Sequence, residues 1–213
     1  MDSHEQPKQT RRELLRAALA VPTTLVLACY AKHTLGDRTS DALAGGPTLR
    51  PTPACTGADE ATPSQTEGPY FKRRSPERAS LLEPGLTGTP IVLTGYVLST
   101  RCTPIARALL DFWQADDKGD YDTKGYRLRG HLFTDDAGGY RLETIVPGLY
   151  PGRTRHVHVK VQAPKRPILT TQLYFPGEPR NTRDGLFNPA LLLTIQDAAD
   201  GRVATFNFIL DVA

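Results

Sequence analysis

The sequence predicts an all-β fold, an antiparallel-rich sandwich or barrel, for most of a 213-residue chain. Three observations carry that prediction. From residue 91 onward the apolar runs are strand-length and rich in Val, Ile, Leu and aromatic residues. Turns containing Gly, Pro and Asp separate them at close spacing, and no long segment shows the 3.6-residue period of an amphipathic helix. Residues 91–98 (IVLTGYVL) form the first strand and 108–115 (ALLDFWQA) the second, with the Cys102-Thr103-Pro104 turn between them. Residues 127–134 and 140–145 flank Asp135-Asp136-Ala137-Gly138-Gly139, which reads as a hairpin. The stretch 156–161 (HVHVKV) alternates strictly, so His156, His158 and Lys160 share one face and Val157, Val159 and Val161 the other. Residues 170–175 make the next strand, stopped by Pro176-Gly177. Strands over 191–195 and 203–210 close the chain around Asp200-Gly201.

The segments ahead of residue 63 are of a different kind. A basic start (Lys8, Arg11, Arg12) precedes Leu14-Leu15 and an apolar run over 17–28, too short for a comfortable transmembrane helix. Thr10-Arg11-Arg12-Glu13-Leu14-Leu15 looks like a twin-arginine export signal, with an ordinary secretory signal or a short amphipathic helix as the alternatives. Val26-Leu27-Ala28-Cys29 is similar to a lipoprotein cleavage box, although Leu27 is larger than such boxes prefer. The expectation is therefore a signal segment over 1–29, a flexible Gly/Pro/Thr-rich linker over 30–62, and a folded β domain over 63–213. Export places the protein in the periplasm or outside the cell, anchored at the membrane if Cys29 is lipidated. In that oxidising setting Cys55 and Cys102 are a natural disulfide pair, against the alternative of two free thiols. The formal charge is +3, and the one basic run is Lys72-Arg73-Arg74, so nucleic acid is not an expected partner.

Two histidines two residues apart on one face of a strand can aim imidazole nitrogens at one point. Alone, His156 and His158 are as consistent with a half-exposed strand as with a metal site. Tyr150 stands six residues earlier on a Pro/Gly turn and can fold back toward them. A second tyrosine, Tyr121, ends an acidic loop after Trp113. The acids Asp116, Asp117, Asp120 and Asp122 lack the spacing of a calcium loop and read as turn and solvent groups.

The set W-Q-A-(x)3-G-x-Y, T-I-V-P-G-L-Y-P, R-x-x-H-V-H and T-Q-L-Y-F, in that order over about 66–208, resembles the intradiol ring-cleavage dioxygenases, which include the protocatechuate 3,4- and catechol 1,2-dioxygenases. The resemblance implies a β-sandwich of that type and a non-haem Fe(III) held by Tyr121, Tyr150, His156 and His158. It implies further that a catecholic substrate and O2 react there to give a cis,cis-muconate-type diacid. Tyr150 would be the ligand displaced by substrate, Arg153 would stabilise negative charge on the ring, and Gln172 would line the substrate and oxygen pocket. His131 and Tyr126 match no motif and read as structural, and Tyr70 as a residue packing near the pocket mouth. Only five residues separate Tyr150 from His156, where larger members carry a longer segment with a tryptophan. No N-terminal helical domain of the catechol 1,2-dioxygenase kind is read in the sequence, so a homo-oligomer would need another interface. Two other readings have weaker support: a non-catalytic exported sandwich that kept the scaffold, and a zinc hydrolase, for which no convincing third ligand or base is read.

Overall fold

The computed structural model describes residues 55, 60–198 and 201–212. The expected signal segment, Cys29 and nearly all of the linker lie outside them. The described part is an antiparallel-rich β-sandwich of nine strands: β1 (Pro90–Ser99), β2 (Leu109–Trp113), β3 (Arg129–Phe133), β4 (Gly139–Ile145), β5 (His156–Gln162), β6 (Leu169–Tyr174), β7 (Thr194–Ala198), β8 (Gly201–Thr205) and β9 (Phe208–Leu210). One sheet runs β4-β1-β8-β7, with β9 also on β1; the other runs β3-β2-β5-β6 and is antiparallel throughout. The two parallel pairings both involve β1, with β8 along its first half and β9 along its second. Among the described residues no helix is long and apolar enough to cross a membrane.

Alternation decides which face of each strand is covered. Val157, Val159 and Val161 of β5 join Leu110 and Phe112 of β2, Leu93 and Val97 of β1, Leu142 of β4 and Phe208 of β9 in one apolar core between the sheets. The opposite face of β5 carries His156, His158 and Lys160, which places them on the outside of the four-stranded sheet. The segment preceding β1 crosses that outer face. Gln65 N donates to Thr170 O (2.8 Å), Thr171 Oγ1 to Pro63 O (2.7 Å) and Thr62 N to Ile209 O (2.9 Å), so this arm is sewn to β6 and β9. Cys55 and Cys102 form a disulfide, with Cα atoms 5.6 Å apart.

Three readings of the strand order need correction. The turn at 135–139 is tight, as Asp135 Oδ1 accepts from Ala137 N and Gly139 N, but it is not a hairpin. It carries the chain from β3 in one sheet to β4 in the other. The expected strand over 203–210 is two strands, because Phe206 and Asn207 leave the ladder to bond Thr94 O and Tyr96 N as the chain steps from one half of β1 to the other. The expected strand over 191–195 begins only at Thr194. Pro189–Leu191 is a 3-10 turn whose start is capped by Asn188 Oδ1.

Candidate metal centre

β5 is the floor of the site. Its register sets His158 between Trp113 of β2 and Gln172 of β6, and His156 beside Tyr174 of β6. Both histidines are buried, at 4% and 3% exposure, which removes the reading of solvent-facing side chains. Their Nε2 atoms lie 3.2 Å apart. His156 Nδ1 is 2.7 Å from the carbonyl of Thr154, which can only accept, so Nδ1 carries the proton and Nε2 offers its lone pair. The Trp113 ring lies nearly flat on His158 (4.8 Å between centroids, 8° between planes) and fixes its orientation.

The two tyrosines arrive on loops that touch backbone to backbone. Gly119, two residues before Tyr121, and Gly148, two before Tyr150, are the contact. A Cβ on Gly148 would lie 2.3 Å from Gly119 N, and one on Gly119 would lie 2.5 Å from Leu149 O. Only glycine fits either position, which is the physical reason for a glycine in each motif. The Tyr121 hydroxyl reaches 3.3 Å from His156 Nε2. Tyr150 stands edge-on to Tyr121 (5.8 Å between centroids), and its hydroxyl is 3.1 Å from that of Tyr70. Tyr70 also stacks on Tyr121 at 4.5 Å and 13°.

Donor atoms 3.2 and 3.3 Å apart are spaced as neighbours around one ion, since metal–nitrogen bonds of about 2.0–2.1 Å put adjacent ligands about 3 Å apart. Among the described residues no three His, Cys, Asp or Glu side chains gather into a metal-sized cluster. A metal on this floor therefore needs the phenols. The protonation chemistry fits such a role. Burial lowers His156 to about 4 and His158 well below the ordinary histidine value, so both are neutral donors at pH 7. Burial pushes the Tyr121 phenol up, against the pull of the Arg153 and Arg129 charges, so its phenolate needs a strong cation.

The metal-free protein should consequently be acid-sensitive. Between pH 6.5 and about 4 the unfolded chain binds a proton that native His156 refuses, so stability falls as pH falls through that window. For His156 the gap is worth about 3 kcal/mol. The expected result is a clear loss of Tm between pH 7 and pH 5 in protein stripped of metal. A Tm that does not change over that range would show that the buried neutral pair is absent.

Arg153 and Gln172 are brought together, Arg153 Nη2 donating to Gln172 Oε1 at 2.7 Å. The residues set aside in the sequence lie elsewhere. The Tyr126 hydroxyl donates to Arg73 O. Ser75 sits between Asp111 and His131, donating to Asp111 at 2.8 Å with His131 Nδ1 3.1 Å away, which is not the order of a nucleophilic triad. A cavity of about 380 Å³ lined by Glu67, Phe71, Asp111, Lys160 and Ile168 also lies on this outer sheet face, separate from the histidines. Sequence reasoning missed the central place of Tyr70, and missed Asp184 and Arg129 altogether. Tyr70 had one usable signal, an aromatic pair after Gly68-Pro69; the other two had none.

A family model described as Dioxygenase matches residues 66–212, which takes in every strand and all four motifs. The chain belongs to the intradiol ring-cleavage dioxygenases. The dioxygenase domain resembles the solved dioxygenase domain of a dioxygenase–carbohydrate-binding protein fusion from Streptomyces sp. SirexAA-E, at 60% identity and TM-score 0.70 over 72% of this chain and all of that one. It is 28% identical to 3-chlorocatechol 1,2-dioxygenase from Rhodococcus opacus 1CP (TM-score 0.67, 71% of this chain, 73% of that one). It is 30% identical over 152 residues to hydroxyquinol 1,2-dioxygenase from Nocardioides simplex, covering 60% of this chain and 52% of that protein. A catechol 1,2-dioxygenase from Acinetobacter baylyi matches over 58% of its length, so the chain spans little more than half of these curated relatives.

Proposed function

We propose that this domain is an exported ferric dioxygenase that opens a catechol-type ring between its two hydroxylated carbons with O2, giving a cis,cis-muconate-type diacid. The observation that carries the reading is the convergence of the Tyr121 hydroxyl and His158 Nε2 on His156 Nε2, at 3.3 and 3.2 Å, with Tyr150 alongside. Two phenols and two neutral imidazoles make a hard, partly anionic donor set that suits a trivalent ion and offsets two of its charges. When bound by these four residues, Fe(III) supplies the acidity that keeps the phenols ionised and the electron demand that makes a chelated diol reactive toward O2.

The other roles belong to the chain's own groups. With the ion bound, Tyr150 would be the ligand to yield to substrate, and its oxygen would take the proton of one substrate hydroxyl. Tyr70, 3.1 Å from it, holds the released phenol clear of the ring. Their contact raises the Tyr70 phenol. Arg153 uses Nε and Nη2 on protein acceptors and leaves Nη1 outside both pairings, to meet negative charge on the ring. Trp113 and Phe71, in contact at 4.9 Å, screen the His158 side from water. The relatives named for catechol, chlorocatechol, hydroxyquinol and protocatechuate support a catecholic diol as the substrate class.

The iron-loaded protein is expected to be red-brown from phenolate-to-iron charge transfer, with a band that moves when catechol binds and with O2 uptake on a panel of catechol, protocatechuate and hydroxyquinol. A colourless protein carrying stoichiometric zinc, or no metal, ends the reading. Tyr150→Phe should lose at least tenfold in kcat while keeping the fold, and unchanged turnover would remove Tyr150 from the ligand set. The disulfide between Cys55 and Cys102 supports export to an oxidising compartment. Twin-arginine export would let the domain acquire iron before it crosses the membrane as a folded protein. Replacing Arg11-Arg12 by Lys-Lys should hold the folded enzyme in the cytoplasm, and normal export would overturn that route. Lipidation at Cys29 would leave the exported enzyme membrane-bound.

A further inference from the structure

Arg153 carries the positive charge that the proposed reaction uses on the substrate side, and the structure does not leave it free to place itself. Its Nε donates to Asp184 Oδ2 at 2.8 Å and its Nη2 to Gln172 Oε1 at 2.7 Å. Each acceptor is pinned in turn. Asp184 Oδ2 also accepts from Thr154 N at 2.8 Å, and Oδ1 accepts from Leu186 N at 2.9 Å. Gln172 Nε2 donates to Thr66 O at 2.9 Å, and the Tyr174 hydroxyl stands 3.1 Å from Gln172 Oε1 and 2.7 Å from Leu186 O. Leu186 thus holds the far end of both pairings. The side chains of Arg153 and Asp184 are 17% and 3% exposed, so this ion pair is removed from water rather than lying on the surface.

The charge state and the surroundings agree. Burial works against the Asp184 carboxylate, but the Thr154 and Leu186 amides and the Arg153 guanidinium outweigh it and hold the carboxyl below the usual carboxylate range. A cavity of about 230 Å³ lined by Gly152, Thr154, Arg180 and Arg183 opens beside the pair. A guanidinium released by Asp184 has room to fall back into it. A planar fork tied along one edge has its direction fixed as well as its charge, and a misplacement of about 1 Å can cost about 10²-fold in rate.

We propose that Asp184 is a positioning residue of the ring-cleavage reaction, aiming the Arg153 guanidinium, and through it Gln172, at the substrate ring. The proposal rests on the functional reading above. Asp184 makes no hydrogen bond to the four proposed ligands and reaches His156 only through the Thr154 backbone, whose N–H an Asn side-chain oxygen at 184 can still accept, so Asp184→Asn should spare the metal and slow the chemistry.

The test uses the full iron-loaded chain and four proteins: parent, Asp184→Asn, Arg153→Ala and the double variant. Asp184→Asn is expected to keep the parent's iron content and charge-transfer band, to change KM by no more than about threefold, and to lower kcat by about 10–100-fold. The double variant should be no slower than Arg153→Ala alone, because there is no guanidinium left to aim. A purely structural Asp184 would give losses that multiply in the double variant, and that result overturns the proposal, as does parental kcat in Asp184→Asn. If Asp184→Asn fails to retain iron, Asp184→Glu decides: it keeps the charge and moves the carboxylate by one methylene. A coloured, slow Asp184→Glu enzyme supports the proposal, and a coloured one as fast as the parent overturns it. A parent protein with iron but no O2 uptake overturns the functional reading and this proposal together, whereas an active parent with an equally active Asp184→Asn overturns this proposal alone.

Discussion

Replacing His158 with alanine is expected to abolish stoichiometric iron binding, erase the red-brown colour and lower ring cleavage by at least about 10³-fold, with the sandwich still folded. His158 holds the middle of the floor. Its Nε2 is 3.2 Å from that of His156, and its ring fills the gap between Trp113 and the Gly68 backbone, where a Cβ on residue 68 would come within 3.3 Å. Loss of groups that merely orient a ligand costs about 10–100-fold in metal affinity, so loss of a ligand at a four-donor centre costs more. The folding cost runs the other way. The substitution removes a neutral imidazole that resists protonation, so the metal-free variant should lose less stability than the parent between pH 7 and pH 5. Iron analysis, the visible spectrum and a pair of thermal melts check the whole statement. Retention of one iron per chain with turnover within tenfold of the parent would remove His158 from the metal centre.

The order and type of most strands were legible because alternation is a local property. Val157, Val159 and Val161 face the core, which puts His156 and His158 on the other side. What failed was information that turn chemistry does not carry. Asp135 and Gly138 specify a reversal of direction, but nothing in them says whether the next strand joins its predecessor or crosses to the other sheet. Here β4 joins β1. The break at Phe206 and Asn207 is set by one acceptor and one donor on β1, Thr94 O and Tyr96 N, more than a hundred residues earlier. Within the site, motif order named Tyr121, Tyr150, His156, His158, Arg153 and Gln172, and the fold brings all six to one end of one sheet face. Asp184 and Tyr70 were not legible as partners. Each acts through contacts across long sequence separation, Asp184 on Arg153 and Thr154, Tyr70 on Tyr150 and Tyr121, and a carboxylate or phenol in a loop leaves no periodic trace. The Tyr150-to-His156 segment, short in the sequence, proves to be the stretch that Asp184 and Arg180 hold from outside, through Thr154 N and the carbonyls of Tyr150 and Arg153.

The second large effect is expected at Arg129. Its side chain is almost fully buried (1% exposed) on β3, across the ladder from Trp113. All three of its hydrogen bonds go to carbonyl oxygens: Nη1 to Tyr70 O at 2.6 Å, and Nε and Nη2 to Asp122 O at 3.2 and 2.9 Å. Those carbonyls belong to Tyr70 itself and to the residue after Tyr121, so one guanidinium ties together the two segments whose rings stack at 4.5 Å. Its charge also opposes the upward push that burial exerts on the Tyr121 phenol. Arg129→Met keeps much of the volume and removes both functions. It leaves two inward carbonyls without a donor, and the expected cost is about 3 kcal/mol, or roughly 10 °C in Tm for a domain of this size. The loosened Tyr70–Tyr121 stack should lower kcat by about tenfold and shift the charge-transfer band, since the Tyr121 phenolate loses a neighbouring cation. Urea melts and the visible spectrum read the two effects separately. A variant within about 0.5 kcal/mol of the parent would make Arg129 an ordinary surface-type position, uncoupled from the candidate metal centre.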